Sequence, residues 1–174
     1  PSLSSEKQTA MNGGYRYAPS TRIYMQFQNR FWQNESLSGW GNTDIPEEIW
    51  QPTWDLSGNT GIIMSYLRWT PAENMDALSE QERIDYVLNR WENIFPGATN
   101  NLDSGTSQSW AQEEWSKGAW ASPTSSQDAD LANHIGLAEG NIHFAGEHAS
   151  DDRGWMQGAL VSGLRAANEI NNAN

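Results

Sequence analysis

Residues 141–170 read NIHFAGEHASDDRGWMQGALVSGLRAANEI and carry the most informative pattern in the sequence. Residues 141–145 are typical of a short strand, residues 146–153 are small and polar, and apolar side chains recur with helical spacing from Gly154 to about Ile170. This order predicts a strand, a loop and a helix, which together form a β-α unit. The residues expected on the inward face of the helix are Trp155, Met156, Ala159, Leu160, Gly163, Leu164, Ala167 and Ile170.

The loop of this unit is a candidate ligand site. A helix N-terminus presents free backbone N–H groups and the positive end of the helix dipole, which suit an anion or an electron-rich carbonyl. Gly146 lets the backbone approach a ligand closely, and Glu147 could accept a hydrogen bond from a sugar hydroxyl. An ordinary packing unit, whose glycines only allow close contact between elements, explains the same pattern, and spacing alone favours that explanation.

The composition gives two opposing indications. Leu, Ile, Val and Phe make up about 16% of the 174 residues and the formal net charge is -12, which by themselves indicate a disordered acidic chain. Ten Trp and five Tyr contradict this, because disordered chains are poor in aromatic residues and each ring buries a large area. We therefore expect a folded chain with few aliphatic core residues, whose core is completed by other polypeptide.

Several classes of function are disfavoured. The acidic balance argues against a surface for nucleic acid or anionic membranes, and no apolar run approaches the roughly 20 residues of a membrane span. The absence of Cys excludes disulfides, thiolate metal sites and Cys nucleophiles. His134, His143 and His148 lack metal-ligand spacing, so no metal site is expected.

Two segments have the alternation of a half-buried strand. In residues 22–28, Ile23, Met25 and Phe27 fall on one face. Residues 61–69 form the second segment. On it, one face is shared by Met64, Tyr66 and Arg68.

Residues 80–95 form the clearest helix, because Ser79 and Glu82 make a capping-box pattern before an apolar stripe. Residues 110–120 are expected to be strand or extended chain, and residues 127–138 a short helix.

Three parts of the sequence resemble a known family. Residues 142–150 and 153–167 resemble the C-terminal signature of flavin-dependent amine and L-amino-acid oxidases. Residues 22–32 resemble the family strand that ends in Phe-Trp, and Trp110 with Trp120 ten residues later resembles its Trp and Gly-x-aromatic element. The resemblance covers about residues 20–172.

The fold implied by the resemblance is α+β or α/β, as the C-terminal fragment of a two-domain flavin oxidase. Residues 1–20 would be a lead-in loop, residues 21–108 the sheet and helix of the substrate domain, and residues 109–174 the closing part of the FAD-binding domain with its last β-α unit.

The partners implied by the resemblance are other fragments of the same precursor. The glycine-rich dinucleotide fingerprint that opens these proteins is absent, so another polypeptide would supply it. Together the fragments would form a hetero-oligomer that is a dimer of protomers. The secreted actinobacterial L-glutamate oxidases, which mature into associated fragments, fit these expectations.

The resemblance also implies roles for individual residues. Glu147 resembles the acid that holds the flavin ribityl hydroxyls, and the Met156 amide resembles the donor to the pyrimidine carbonyl. Trp155 would lie against the ring on the substrate side, with Trp120 as an opposite wall, and Tyr66 would bind the substrate carboxylate. The remaining residues expected to contact FAD are Gly146, Gly154, Gln157, Ala159 and Trp110.

Two arginines have open roles. Arg22 stands where the family usually has a Lys that holds a water near the flavin, but Arg cannot accept a proton, so Arg22 is either a catalytic-site residue or a surface residue at a strand end. Arg68 lies about 7 Å beyond Tyr66 on the predicted strand. It either recognises a second carboxylate of an acidic substrate or pairs with one of the 22 acids of the chain.

Three functions remain open from the sequence. The first is an FAD-dependent L-amino-acid oxidase, with L-glutamate as the expected substrate, that produces a 2-oxo acid, ammonia and hydrogen peroxide. The second is an amine or polyamine oxidase of the same fold. The third is a non-enzymatic module that binds ligands such as carbohydrate through exposed Trp side chains.

Overall fold

The computed structural model describes residues 2–44 and 48–173, which fall into two compact units. The sheet unit is Pro19–Gly118. The terminal unit joins Pro1–Ala18 to Ala119–Asn174.

Within the described residues the α-helices are α1 (Ser5–Thr9), α2 (Thr70–Asp76), α3 (Glu80–Ile94), α4 (Ala98–Asn101), α5 (Ser125–Ile135) and α6 (Met156–Asn172). The strands of the same residues are β1 (Tyr17–Ala18), β2 (Ser20–Phe27), β3 (Gly41–Asn42), β4 (Glu48–Trp50), β5 (Gly61–Arg68), β6 (Leu102–Ser109) and β7 (Trp120–Ala121). The predicted mixture of helix and sheet is confirmed. No helix among these residues has both the length and the apolar character needed to cross a membrane.

The sheet unit is built on an antiparallel sheet of five strands in the order β3-β4-β5-β2-β6. The predicted alternation of β2 is confirmed, since Ile23, Met25 and Phe27 are fully buried. The opposite side of the sheet, which we call the second face, carries Arg22 and Tyr66 as directly paired residues of β2 and β5.

Helix α3 covers the core face of this sheet. The predicted capping box is present, with Ser79 and Glu82 each binding the backbone of the other. Aromatic rings form part of this core, because Trp32 and Trp91 are fully buried and their rings lie 5.8 and 6.4 Å from that of Phe27.

The terminal unit has a smaller core, formed by Tyr15, Ala121, Leu131 and Ile135. Its first residues are not the expected lead-in loop, because α1 and a helical turn over Ala10–Gly14 fold against α5. The reason is a buried cation: Lys7 Nζ donates to the carbonyls of Ile135 and Leu137, at 2.7 and 2.8 Å, and so satisfies the C-terminal end of α5.

Two strand expectations are wrong. Within residues 141–145, Ile142 forms an isolated bridge with Glu139 and residues 143–145 are irregular; no strand of the described chain pairs with them. Residues 110–118 form bends and turns instead of an extended segment, and positive φ angles at Lys117 and Gly118 interrupt the chain there. The helix expected near residues 127–138 is confirmed as α5.

The helix expected after Gly154 is confirmed as α6, but its inward face is not the expected one. The buried residues are Gly158, Ser162 and Ala166, spaced four apart. These small residues allow the helix to approach the preceding loop closely. At Gly158 a Cβ would lie only 2.2 Å from the backbone oxygen of Asp152, so no larger residue fits there. The large apolar side chains expected to be inward, Trp155, Met156, Leu160, Leu164 and Ile170, are instead 50–86% exposed.

Candidate cofactor and substrate residues

Glu147 joins two segments of the terminal unit. It begins a short helical turn, and its carboxylate accepts hydrogen bonds from the backbone N–H of Ala121 at 2.8 Å and of Gly154 at 2.7 Å. One oxygen serves each donor, and every carboxylate oxygen has two lone pairs. Glu147 is therefore held in place and can still accept a hydrogen bond from a ligand hydroxyl.

The backbone before Glu147 requires glycine. Gly146 has a φ of +144°, and a Cβ there would lie 2.3 Å from the His148 ring. Its N–H donates to the buried Ser162 hydroxyl at 3.0 Å, and that hydroxyl lies 2.8 Å from the Gly146 carbonyl. The hydroxyl fixes the turn to α6, and the four-residue spacing of small residues around Ser162 is the sequence signal that could have identified it.

The N-terminus of α6 has no cap. Its N-cap residue Trp155 makes no side-chain capping bond, and the N–H groups of Met156 and Gln157 have no acceptor within residues 2–44 and 48–173. Trp155 and Met156 are 73% and 86% exposed. Two amide donors at the positive end of a 17-residue helix therefore face an open, apolar surface.

The neighbouring titratable groups are neutral near pH 7. Burial, followed by the nearby Glu147 and Tyr15, raises the pKa of Tyr17 to about 12. Burial lowers the pKa of His148, more than the adjacent Glu147 raises it. We therefore assign no proton transfer to Tyr17 or His148.

Trp120 lies close to the start of α6. It is in β7, and its Cδ1 would be 3.5 Å from a Cβ placed at Gly154. The terminal unit therefore brings together eight of the predicted site residues: Gly146, Glu147, Gly154, Trp155, Met156, Gln157, Ala159 and Trp120.

The other predicted residues belong to the sheet unit. Arg22, Tyr66 and Arg68 share the second face of the sheet, with both guanidinium carbons over the Tyr66 ring, at 4.3 and 5.3 Å from its centre. Trp110 is 38% exposed and directly follows β6.

Arg68 is bound to an acid of the chain. Its Nη2 lies 2.5 Å from Glu48 Oε1, and the Trp50 indole N–H donates to the other Glu48 oxygen at 2.9 Å. The side chains of the pair are 32% and 19% exposed. Arg68 thus projects from the same face as Tyr66, as predicted, but the carboxylate that it binds here is internal.

A group of three or more His, Asp or Glu side chains that could bind a metal ion does not occur among the described residues. The site chemistry of the terminal unit is instead that of amide donors, one fixed carboxylate and exposed aromatic side chains.

Comparison with known proteins identifies the family. The family described as flavin containing amine oxidoreductase matches residues 1–171. The chain belongs to this family of oxidoreductases. It is 38% identical over 160 residues to the putative L-amino-acid oxidase YobN of Bacillus subtilis, covering 89% of this chain and 34% of that protein. It is 31% identical over 177 residues to the L-amino-acid oxidase of Siganus canaliculatus, covering 98% of this chain and 33% of that protein.

The fold is that of solved flavin amine oxidases. The chain superposes on cyclohexylamine oxidase from Brevibacterium oxydans with a TM-score of 0.81 and 20% identity, covering 98% of this chain and 38% of that one. For a redesigned putrescine oxidase the TM-score is 0.84 at 22% identity, covering 100% and 39%. The chain thus spans about a third of the length of the L-amino-acid oxidases that it matches.

The cofactor of this family is FAD, and the terminal unit fits such a group. The uncapped amides of Met156 and Gln157 suit an electron-rich carbonyl that becomes more negative on reduction. Glu147 retains lone pairs for a sugar-type hydroxyl, and Gly146 keeps the turn free of a side chain.

Proposed function

We propose that the protein containing this chain is an FAD-dependent L-amino-acid oxidase. The observation that carries the proposal is the 38% identity to a putative L-amino-acid oxidase over 89% of this chain. The structures of amine oxidases, at 20–22% identity, support the fold alone.

The reaction converts an L-amino acid, oxygen and water to a 2-oxo acid, ammonia and hydrogen peroxide. FAD, when bound, supplies the redox chemistry by accepting two electrons from the substrate and passing them to oxygen. With FAD bound, the Met156 and Gln157 amides would donate hydrogen bonds to a carbonyl of the ring, and Glu147 would accept hydrogen bonds from ribityl hydroxyls. Trp155 and Trp120 would be apolar walls of the cofactor site. The family resemblance further supports a role for Tyr66 in binding the substrate carboxylate.

The narrower proposal of L-glutamate as the substrate depends on Arg68. Its ion pair with Glu48 weakens this proposal, because a guanidinium already bound to a carboxylate gains less from a second one. A substrate without an acidic side chain fits the charge-balanced pair at least as well. The binding-module alternative is disfavoured, because the chain belongs to an oxidoreductase family.

We further propose that other fragments of the same precursor supply the dinucleotide fingerprint, in a secreted hetero-oligomer that forms a dimer of protomers. The exposed apolar face of α6 supports a partner polypeptide. Sequencing the polypeptides that copurify with this chain tests the proposal, and a single polypeptide that contains both this chain and the fingerprint would contradict it.

The activity is tested with the flavin-loaded protein and a panel of L-leucine, L-glutamate, putrescine and cyclohexylamine, with hydrogen peroxide as the measured product. We expect oxidation of the amino acids and little of the two amines. Preferential oxidation of the amines would show an amine oxidase instead.

A further inference from the structure

Two segments of the sheet unit meet at the end of the sheet where β2 ends and β5 begins. The register pairs Phe27 with Gly61, so the residues that follow β2 lie beside the residues that precede β5. Between them is an open cleft of about 430 Å³, which we call the polar cleft. Its lining residues are Asn29, Arg30, Gln33, Asn34, Gly58 and Asn59.

Arg30 holds the two sides of the polar cleft together. Its Nη2 donates to the carbonyls of Thr53 and Leu56, at 2.8 and 2.7 Å, and its Nε donates to the carbonyl of Thr60 at 3.2 Å. These carbonyls belong to the loop that leads into β5, so the guanidinium fixes this loop and is itself fixed. A side chain that is already held in place loses less conformational entropy when a ligand binds.

The charge of Arg30 is not balanced by a carboxylate. Its hydrogen bonds go to neutral carbonyls, and Nη1, which carries two N–H donors, has no acceptor within residues 2–44 and 48–173. By contrast, Arg68, Arg153 and Arg165 each have a nitrogen 2.5–2.9 Å from a carboxylate oxygen. The chain has 22 acids and a net charge of -12, so a cation without a carboxylate is informative.

The rest of the polar cleft is neutral and rich in hydrogen-bond donors. The side chains of Gln33, Asn34 and Asn59 are exposed, and none of them makes a hydrogen bond within the part of the chain that the structure describes. Each of them ends in an amide with two N–H donors. The acids nearest in sequence, Glu35 and Asp55, are exposed and lie outside the lining.

We propose that the polar cleft binds a phosphate group, either as inorganic phosphate or on a small phosphorylated molecule. A phosphate group presents three or more acceptor oxygens, whereas a carboxylate presents two, so phosphate better matches one guanidinium and three amides. Charge-assisted hydrogen bonds from a guanidinium to phosphate are about twice as strong as neutral ones. These residues are distinct from those proposed to contact FAD or the amino acid, so the site does not depend on the oxidase activity.

The test is ligand binding to the flavin-loaded protein, in which FAD already occupies its own site. Dissociation constants are measured by isothermal titration calorimetry at constant ionic strength, with inorganic phosphate and D-glucose 6-phosphate as probes and D-glucose as the comparison without phosphate. We expect saturable binding of both phosphate probes and none of D-glucose. Tighter binding of D-glucose 6-phosphate would identify a phosphorylated molecule as the ligand, and equal or weaker binding would identify phosphate itself.

The first variant is Asn34→Asp, which places a carboxylate in the polar cleft without removing a hydrogen bond of the described chain. We expect it to weaken the binding of inorganic phosphate by about 10-fold or more, because like charges repel at short distance. The matched control is Asn74→Asp, the same change at an exposed position of α2, which follows the opposite end of β5. It should change the dissociation constant by less than about 2-fold, because salt screens distant exposed charges.

The cation itself is tested with two further variants. Arg30→Met removes the charge and the bonds to the loop, and it should bind phosphate most weakly. Arg30→Lys keeps the charge but lacks the planar fork that reaches three carbonyls, so its affinity should lie between those of Arg30→Met and the wild type. Asn34→Asp separates the effect of charge from any loosening of the loop, because the bonds of Arg30 remain in it.

Four results would overturn the proposal. Absence of saturable binding of both phosphate probes to the wild type would show that the polar cleft is not a phosphate site. Unchanged phosphate affinity in Asn34→Asp and Arg30→Met would show that phosphate binds elsewhere. Equal losses in Asn34→Asp and Asn74→Asp would show only the repulsion of anions by an acidic protein. Equal affinity for D-glucose and D-glucose 6-phosphate would show that hydroxyl groups, and not phosphate, are recognised.

Discussion

The two units differ in the size of the side chains that pack in their interiors. In the sheet unit, Trp32 and Trp91 are fully buried beneath the sheet. In the terminal unit, the apolar stripe of α6 is open, with Trp155 and Met156 73% and 86% exposed, while the small residues of the helix pack inward. The first unit has its own aromatic core, whereas the second leaves the large apolar side chains of α6 exposed, on the surface where we propose that FAD and further polypeptide bind.

The largest expected effect is a loss of stability when a core side chain of the sheet unit is removed. Trp91→Ala should lower the free energy of unfolding by about 3–5 kcal/mol, because it removes a fully buried ring and leaves a cavity. The measurement is urea unfolding of the purified protein. Trp115→Ala is the matched control, since Trp115 is 86% exposed and its loss should change stability by less than about 0.5 kcal/mol. Similar losses for both variants would contradict the described core.

The next effect concerns the cofactor side of the terminal unit. In Glu147→Gln, an amide NH₂ faces one of the two backbone N–H donors, that of Ala121 or that of Gly154, so this donor loses its acceptor. The substitution also removes the carboxylate that would accept a hydrogen bond from a flavin hydroxyl. The affinity for FAD should fall by about 1.5–3 kcal/mol, measured by equilibrium dialysis.

The control for Glu147 is Glu139→Gln. Glu139 accepts hydrogen bonds from Ser4 in the same unit but lies outside the group of residues expected to contact FAD. It should retain FAD as the wild type does. Full retention by Glu147→Gln would remove Glu147 from the cofactor site.

The patterns that were predicted correctly from the sequence are local. The alternation of β2 and the capping box of α3 depend on neighbouring residues, and both are confirmed. The inward face of α6 is set by the close approach of the Asp152 backbone oxygen to Gly158. The spacing of apolar residues along a helix predicts the helix, but it does not show which face packs against a distant loop.

Long-range contacts account for the other differences. The fold of residues 5–14 depends on bonds from Lys7 to carbonyls that follow it by 128 and 130 residues. The partner of Arg68 is one of 22 acids, and strand register selects Glu48 by placing it opposite Tyr66. The grouping of the site residues near Glu147 was predicted from the family resemblance, because spacing alone favoured an ordinary packing unit.

Two glycines on α6 test which face of this helix packs inward. Gly158→Ala should destabilise the protein by about 1–3 kcal/mol, because its Cβ would meet the Asp152 backbone oxygen at 2.2 Å. Gly163→Ala should be neutral or stabilise by up to about 1 kcal/mol, because no atom of the described chain beyond the adjacent residues and the backbone of the helix itself lies within 4 Å of the new Cβ, and Ala favours helix. Thermal unfolding of both variants checks this, and equal effects would show that α6 packs in another orientation.

A smaller effect is expected at Arg68. The Arg68 side chain is 32% exposed and already paired with Glu48, so Arg68→Met should change kcat/KM for L-glutamate and for L-leucine by a similar factor, of about 5 or less. The measurement is peroxide production with each substrate. A loss of about 100-fold confined to L-glutamate would instead favour the acidic-substrate proposal, with Glu48 displaced when the substrate binds.

The smallest expected effect is a pH dependence shared by the two units. In the sheet unit, hydrogen bonds from the N–H groups of Thr99 and Gly97 and from the Thr99 hydroxyl lower the pKa of Glu92. In the terminal unit, the Ser4 hydroxyl and N–H lower the pKa of Glu139. A carboxylate whose pKa is lower in the folded state stabilises the fold above its unfolded pKa, and this contribution is lost as the pH falls through the folded pKa.

Glu92→Gln and Glu139→Gln should therefore be less stable than the wild type near pH 6, and the difference should shrink as the pH approaches about 3. Urea midpoints across this range measure it. Glu114→Gln is the control, because Glu114 is exposed and makes no hydrogen bond within the described residues, so its difference from the wild type should stay small and constant. If the Glu139 difference stayed constant with pH while the Glu92 difference shrank, the hydrogen bonds between Ser4 and Glu139 would not stabilise the terminal unit.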